Sequence, residues 1–339
     1  MIDQLIDNMP KIELHVHLEG AIPLEALWIM INKYRDENTD VNSLKELKRR
    51  FEYVDFIHFL KTWDWKNKYL RQYEDFTFIA KKVAEDLANQ HILYAEIFYS
   101  PGDFEQHGLN VQKITESIRK GLDHSSDRIT INLVADLVRD HGPQKGLMWL
   151  HEIKEVIELG VIGIGIGGSE HVYPPEIFEE VYDVARKYGF YTSAHAGESA
   201  GPESIWGSIK SLKVNRIGHG TRAIEDPKLI QYLKENRLPI ELCPISNVRT
   251  GVVKNLMSHP IQKYMEEDLI VSVNTDDPKM FQTSLKLEYL SLIDTFDFSL
   301  NDIKKLSENA ISSAWCDDSF KSEIQSKVDG YFKAVKDFI

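Results

Sequence analysis

Two histidines are spaced two residues apart in the segment KIELHVHLEG, residues 11–20. Because side chains alternate between the two faces of an extended strand, His15 and His17 would share one face with Glu13. Two imidazoles at the end of one strand can bind a common metal ion, as the H-x-x-x-H pair does on a helix. Hydrogen-bonded core histidines are the alternative interpretation of this motif alone, since buried histidines often bind nothing.

Three further apolar runs end in residues of the same chemical types. His195 ends one run, and Glu198 follows it three residues later in SAHAGE. His219 ends another run at IGHG, and NTDDP carries Asp276 and Asp277 at the end of the last run. Each motif alone is weak, because an Asp pair before proline commonly forms a turn or a helix cap. Together they predict a ring of metal ligands and acid–base groups, provided that the fold brings these strand ends together.

The residue types at these strand ends also indicate the metal. Three imidazoles and a carboxylate, without a thiolate, suit zinc or another divalent first-row ion. A zinc ion with an open coordination position lowers the pKa of bound water to about 7 and so makes hydroxide available. Glu198 is close enough in sequence to His195 to move protons at such a site. His219 and Asp277 are candidates to orient the hydroxide or to hydrogen-bond a substrate.

Eight short apolar runs, separated by amphipathic stretches, must position these residues. Alternating strands and helices predict a parallel sheet, and eight strands in a chain of 339 residues indicate a closed (β/α)8 TIM barrel. A doubly wound open sheet stays the alternative, because periodicity does not distinguish the two. The predicted strands cover residues 11–17, 92–99, 130–137, 161–166, 190–195, 214–219, 238–243 and 269–275.

A long insertion follows the first predicted strand. Residues 22–90 contain several predicted helices, and insertions after a barrel strand lie at the C-terminal face, where active sites form. The stretch 55–69 carries Phe59, Leu60 and Trp63 and is a candidate hydrophobic gate over the site. Core packing of this apolar stripe at helical spacing is the alternative.

Composition and charge exclude several functional classes. The chain is 42% hydrophobic and 27% charged, and its formal net charge of −13 argues against a nucleic-acid partner. Its two cysteines imply no disulfide framework and favour a reducing compartment. No signal peptide or membrane-spanning run is visible, so we expect a cytoplasmic protein without a membrane partner.

No linker or shift in composition divides the chain. We therefore expect one barrel domain over residues 1–339, in which residues 281–339 form C-terminal helices after the last strand. The sequence does not define an oligomeric state.

The motifs HVHLEG, SAHAGE, GHG and NTDDP, in this order, resemble those of the adenosine/adenine deaminase family. The segment ELCPISNVRTG at residues 241–251 also resembles the family's seventh-strand region, and the resemblance covers essentially the whole chain. It implies a (β/α)8 barrel with a single catalytic Zn²⁺ per chain that hydrolyses the 6-amino group of a purine, a small-molecule substrate. Matched by position, His15, His17, His195 and Asp276 resemble the zinc ligands.

The same resemblance implies roles for other residues. Glu198 resembles the acid that protonates purine N1, and His219 resembles the residue that orients and deprotonates the zinc-bound water. Asp277 resembles the contact to purine N7, and Gly168 resembles the glycine whose backbone meets N3. The expected substrate contacts are His17, Glu19, Gly168 and Asp277.

Chemistry supports two of these roles independently. Adding hydroxide to C6 destroys the aromaticity of the ring, so an acid near N1 must supply a proton as charge builds there. For a carboxyl group to hydrogen-bond N7, either that group or the ring nitrogen must be protonated, which a site dense in acids beside a cation can arrange.

Two positions depart from the adenosine-type pattern. Glu19 stands where typical adenosine deaminases carry an Asp that meets the ribose 5′-hydroxyl, and Gly165 also replaces a usual Asp. Both features resemble the adenine branch, whereas SNVRTG and NTDDP resemble the adenosine branch. We favour adenosine or deoxyadenosine; adenine, an N6-substituted adenine and AMP are the alternatives. A different metal hydrolase and a catalytically dead binding module are the alternatives outside purine deamination.

Overall fold

The computed structural model describes residues 2–336; Met1 and residues 337–339, which belong to the predicted domain and its C-terminal helices, lie outside the described residues. Eight parallel strands form one sheet in which each strand pairs with the next in the chain. The ring closes through a parallel bridge between Val16 and Asp276. The strands are β1 Lys11–His17, β2 Ile92–Tyr99, β3 Thr130–Asp136, β4 Val161–Gly165, β5 Tyr191–Ala196, β6 Arg216–His219, β7 Ile240–Leu242 and β8 Val271–Val273.

This consecutive order confirms the predicted (β/α)8 barrel and excludes the doubly wound sheet, in which the strand order reverses. Helices connect the strands and follow the last one. They are α1 Ile2–Asn8, α2 Leu24–Lys33, α3 Leu44–Arg50, α4 Phe56–Asn67, α5 Tyr73–Asn89, α6 Val111–Leu122, α7 Gly142–Lys154, α8 Glu179–Lys187, α9 Pro202–Gly207, α10 Pro227–Glu235, α11 Pro244–Arg249, α12 Ile261–Glu266, α13 Pro278–Phe281, α14 Leu285–Phe296, α15 Leu300–Ser313 and α16 Asp318–Lys336.

The predicted insertion and C-terminal helices are both present. Helices α2–α5 lie between β1 and β2, and α13–α16 follow β8. Helix α4 begins after Asp55, whose side chain accepts the backbone N–H of His58 and so caps the helix. Within residues 2–336, no helix has the length and apolar character that crossing a membrane requires.

The last three strands begin two residues later than predicted. A residue with positive φ precedes each of them and ends the preceding helical segment: Lys213 at 53°, Arg237 at 50° and Asp268 at 59°. The next residue then donates its backbone N–H back to that segment, as Leu269 does to the carbonyl of Tyr264 at 3.0 Å. Apolar residues that look like strand starts in the sequence therefore belong to helix ends.

Candidate active site

Four side chains converge at the C-terminal end of the barrel. The Nε2 atom of His195 lies 3.1 Å from Nε2 of His15 and 3.2 Å from Nε2 of His17. The Oδ1 atom of Asp276 lies 3.5 Å from Nε2 of His15 and 3.4 Å from Nε2 of His17. All four residues are buried. The structure thus brings together the four residues that the sequence predicts as metal ligands.

These separations fit a tetrahedral zinc site. With zinc–nitrogen distances of 2.0–2.1 Å, neighbouring ligand atoms lie roughly 3.3 Å apart. Burial lowers the pKa of His17 to about 3 and that of His195 well below its usual value, so both imidazoles are neutral, as metal ligands must be. Burial alone would raise the pKa of Asp276. The hydrogen bond with His15 and the surrounding imidazoles nevertheless hold that pKa below its usual range.

Backbone geometry aims two of the site residues inward. Asp276 and His219 adopt positive φ angles of 62° and 60°, a conformation that few residues other than glycine adopt. Both lie at or just beyond a strand end, where this turn directs the side chain into the site. Such backbone conformations cluster at functional sites.

A buried chain of charges orients His15. Its Nδ1 lies 2.8 Å from Oε2 of Glu241 in β7, which directs Nε2 towards the other ligands. Glu241 Oε1 in turn pairs with Arg216 Nε at 2.5 Å, and Arg216 also pairs with Glu96. Although burial disfavours charge, Arg216 and then His15 lower the pKa of Glu241 below its usual value. Glu241 is therefore an ionised partner of the candidate metal ligand.

The predicted acid–base residues lie beside the four ligands. Oε2 of Glu198 lies 3.7 Å from Nε2 of His219, and both side chains are buried. Burial, and then the negative charge of Asp276, raises the pKa of Glu198 well above its usual value. Burial lowers the pKa of His219 to about 4. Burial therefore favours the protonated form of the Glu198 carboxyl group and the neutral form of the His219 imidazole.

Asp277 is the second buried acid of the site. Burial, and then the charge of Asp276, raises its pKa well above the usual value. Its Oδ1 is buried and has no hydrogen-bond partner among the described residues. A Cβ atom on Gly20 would lie 1.7 Å from this oxygen, so only glycine leaves room for the carboxyl group.

A cavity of about 390 Å³ opens over these groups, a size typical of small-molecule sites. Its inner wall includes Gly168, which has a φ of +97°, and the site residues His17, His195, Glu198, His219, Asp276 and Asp277. Phe56, Phe59, Leu60 and Trp63 of α4 form its apolar side. The stretch proposed as a gate therefore lies over the site. Its movement stays a prediction.

Glu19 lies behind the cavity wall and does not line it. Its side chain is buried, and Oε1 accepts the backbone N–H of Ser100 at 3.0 Å, while Oε2 has no partner within residues 2–336. Lys66 of α4 is also buried, donates to Asn67, and has Glu19 as its strongest charged neighbour. The predicted contact between Glu19 and a ribose hydroxyl stays a prediction.

Sequence reasoning missed several residues around the site. Asp136 ends β3, lines the cavity and places Oδ2 4.0 Å from Nδ1 of His17. Its position at a strand end, like that of the other acids, is the sequence signal that could have identified it. The ring of Phe98 occupies the space beside Gly165. A Cβ atom on Gly165 would lie 2.6 Å from that ring. No local sequence signal marks Lys66 or Phe98 as part of the site.

Comparisons with known proteins agree with this geometry. The sequence pattern of the family described as adenosine deaminase matches residues 10–331. An adenosine deaminase of Clostridium kluyveri is 32% identical, covering 98% of this chain and 97% of the relative. An aminodeoxyfutalosine deaminase of Streptomyces avermitilis is 30% identical, covering 98% and 94%. The crystal structure of an adenine deaminase from Arthrobacter aurescens has a TM-score of 0.91 at 28% identity, covering 96% of this chain and 99% of that one.

The barrel and its cluster of histidines and acids define a metal-dependent hydrolase that acts on a C–N bond of a cyclic amidine. The chain belongs to the adenosine deaminase family. Purine deamination is the activity that this membership supports, with a small-molecule purine as the ligand.

Proposed function

We propose that this protein is a zinc-dependent deaminase that converts adenosine or deoxyadenosine to inosine or deoxyinosine and ammonia. The observation that carries the proposal is the convergence of His15, His17, His195 and Asp276 beside a cavity that Glu198 and Asp277 line. A zinc ion held by those four ligands supplies Lewis acidity that makes water nucleophilic near neutral pH.

Glu198 and His219 divide the proton transfers between them. Water adds to C6 of the purine, and the neutral imidazole of His219 accepts a proton from the attacking water. The protonated carboxyl of Glu198 donates to N1, where negative charge builds as the ring loses aromaticity. His219 then passes its proton to the C6 amino group, the C6–N bond breaks and ammonia leaves. The proton of the C6 hydroxyl returns to Glu198 as the C6 carbonyl forms, which restores both groups.

Asp277 and Gly168 orient the base. The protonated carboxyl of Asp277 donates a hydrogen bond to N7, which the raised pKa of this buried group supports. Gly168 lies between Gly167 and Ser169, whose backbone N–H groups already donate to Asp136 and Asp140. The backbone of Gly168 is then the part of this loop that meets N3.

The mouth of the cavity favours a nucleoside over a nucleotide. Asp64, Asp103 and Asp140 line the outer cavity, and the described lining residues include no lysine or arginine. Asp103 pairs with His141 at 2.8 Å. Burial raises the pKa of Asp64, and the negative charges of Asp103 and Asp140 raise it further. A phosphate group at the 5′ position would meet these carboxylates, and the imidazole of His141 beside them is already paired with Asp103.

The preference for a nucleoside over free adenine rests on the ribose side. The purine-binding groups occupy the inner wall, so a bare base leaves the region beside Ser100, Asp64 and His141 unfilled. Glu19 lies directly behind Ser100, and its Oε2 has no partner within residues 2–336. We propose that this oxygen accepts the 5′-hydroxyl when the side chain turns towards the cavity. A site built to bind a hydroxyl discriminates against an analogue that lacks it.

The test is a panel of adenosine, deoxyadenosine, 5′-deoxyadenosine, adenine, AMP and aminodeoxyfutalosine assayed for ammonia release, with N6-methyladenine assayed for methylamine release. We expect the highest kcat/KM with adenosine or deoxyadenosine, a much lower value with 5′-deoxyadenosine, and loss of that difference in Glu19→Ala. Faster turnover of adenine than of adenosine would place the protein in the adenine branch. Turnover of AMP as fast as adenosine would contradict the interpretation of the acidic mouth.

A further inference from the structure

Glu170 is a buried carboxylate that lies outside the cavity wall and has no role in the chemistry above. It follows β4, in the segment GIGIGGSE at residues 163–170. Its side chain is 2% exposed, which requires strong partners for a charged group. Those partners are backbone N–H groups of the turn that carries Glu198.

Four successive backbone amides donate to this one carboxylate. Gly197 N lies 2.5 Å from Oε1, and the amides of Glu198, Ser199 and Ala200 lie 3.1, 2.9 and 3.1 Å from Oε2. Successive N–H groups that point to one place form an anion-binding concavity. Here the bound anion belongs to the protein itself. We call this arrangement, the Glu170 carboxylate with the amides of residues 197–200, the Glu170 clamp.

We propose that Glu170 is the positioning residue for the catalytic acid: the Glu170 clamp fixes the turn at residues 197–200 and thereby holds the Glu198 carboxyl group over the substrate. This proposal rests on the proposed function, because it assigns Glu198 as the acid.

The carbonyl of Gly197 anchors this turn to the loop that follows β6. The carbonyl of Gly197 accepts the hydroxyl of Thr221 at 2.7 Å and the backbone N–H of Arg222 at 3.0 Å. Gly197 has a φ of +68°, and a Cβ there would lie 2.4 Å from Ile205. The turn is therefore held between the loop after β4, through Glu170, and the loop after β6, through Gly197.

A buried arginine anchors the candidate metal ligand His195 separately from the clamp. Arg139 donates to the backbone carbonyl of His195 at 2.6 Å and to that of Tyr173 at 2.8 Å. His195 and Glu198 thus lie on one segment whose two ends have separate anchors. Rotation of the turn would move Glu198 without displacing His195, so loss of the clamp affects proton transfer rather than metal binding.

The first readout is hydrogen exchange, which needs no substrate. In Glu170→Gln, one carboxylate oxygen becomes an amide nitrogen that cannot accept a hydrogen bond. We expect the amides of residues 197–200 to exchange faster than in the wild type, with the rest of the barrel unchanged. Glu203→Gln is the matched control, because Glu203 is an exposed glutamate that accepts the backbone N–H of Gly201 from the same turn. Unchanged exchange at residues 197–200 in Glu170→Gln would overturn the clamp.

The second readout separates positioning from a general structural role. We expect Glu170→Gln to lose about 10²-fold in kcat, since misplacing a reacting group by about 1 Å has an effect of that size. KM for adenosine and zinc content should stay at wild-type values. Glu170→Asp keeps the charge and should retain a higher kcat than Glu170→Gln. If Glu170→Gln does not fold, Glu170→Asp is compared with the wild type instead. In that comparison the kcat of Glu170→Asp should fall while its KM stays unchanged.

A wild-type kcat in the Glu170 variants, or a loss that appears only in KM or in zinc content, would overturn the positioning role. If the wild-type protein deaminates no 6-aminopurine, the proposed function fails, while the hydrogen-exchange comparison still decides whether the clamp exists.

Discussion

The Nε2 atoms of His15 and His195 face each other across 3.1 Å inside the barrel. Two neutral lone pairs at this distance repel, so the arrangement needs a cation or a shared proton between them. Burial opposes charge on His15, yet its hydrogen bonds with Asp276 and Glu241 raise its pKa to about 10, and a proton there supplies that link. A divalent ion held by these residues would take the place of that proton.

Removal of one ligand should abolish both metal binding and catalysis. We expect the purified wild-type protein to contain about one zinc ion per chain, as a site with this donor set holds a single ion. His195→Ala should contain no stoichiometric zinc and release no ammonia from adenosine, measured by elemental analysis and a coupled ammonia assay. His151→Ala, which changes an exposed histidine of α7, is the control. Full zinc content in His195→Ala would refute the ligand assignment.

Loss of the catalytic acid should separate metal binding from turnover. Glu198→Gln should keep its fold and zinc but lose about 10²–10⁴-fold in kcat, the usual scale for general acid catalysis. A fully active variant would mean that another group protonates N1.

The pH dependence should follow the raised pKa of Glu198. The protonated form is the active one, so kcat/KM should hold as pH falls through neutrality and decline as pH rises through that pKa. The decline should be absent from the residual activity of Glu198→Gln. A wild-type profile that instead rises steadily with pH would exclude Glu198 as the proton donor.

Asp277 should control purine recognition and leave the metal in place. We expect Asp277→Ala to weaken discrimination between adenosine and its 7-deaza analogue at full zinc content, whereas Asp277→Asn keeps an N–H donor for N7 and retains more of it. Gly20→Ala should have a similar effect, because the new methyl group would displace the Asp277 carboxyl. Loss of zinc from Asp277→Asn would show that the roles of Asp276 and Asp277 are reversed.

Substitution of two tryptophans of α4 tests whether this helix forms a gate over the cavity or only packs in the core. Trp63 lines the cavity and donates Nε1 to Asp103 at 3.2 Å, whereas Trp65 stacks against Arg50 and does not line it. Trp63→Ala should raise KM for adenosine several-fold more than Trp65→Ala, because only Trp63 borders the substrate. Equal changes in KM, accompanied by equal losses of thermal stability, would favour core packing.

The sequence predicts well the four strand ends that meet at the site, because each carries a candidate metal ligand or acid–base residue in a short motif. His15, His195 and Asp276 lie far apart in the chain, and the barrel topology alone is enough to place them together. The partners behind the ligands are harder to predict, because their contacts cross the barrel. Glu241 reaches His15 from the strand β7, and nothing in the residues around Glu241 shows which histidine it orients.

The direction of the Glu19 side chain is a second feature that the sequence does not predict. Replacing Asp by Glu at position 19 looks like a small extension towards the substrate. In the structure the longer side chain instead bonds the backbone N–H of Ser100, behind the cavity wall. Local motifs give the residue type, but the packing of Ser100 and Lys66 around it decides where the carboxylate points.

Titration of zinc into metal-free protein, with ammonia release from adenosine as the readout, tests the central claim most directly. The account predicts no activity without metal and a linear rise that levels off at about one zinc ion per chain, because one four-ligand site carries the chemistry. Full ammonia release from metal-free protein, or none from adenosine, deoxyadenosine or adenine at saturating zinc, would contradict it.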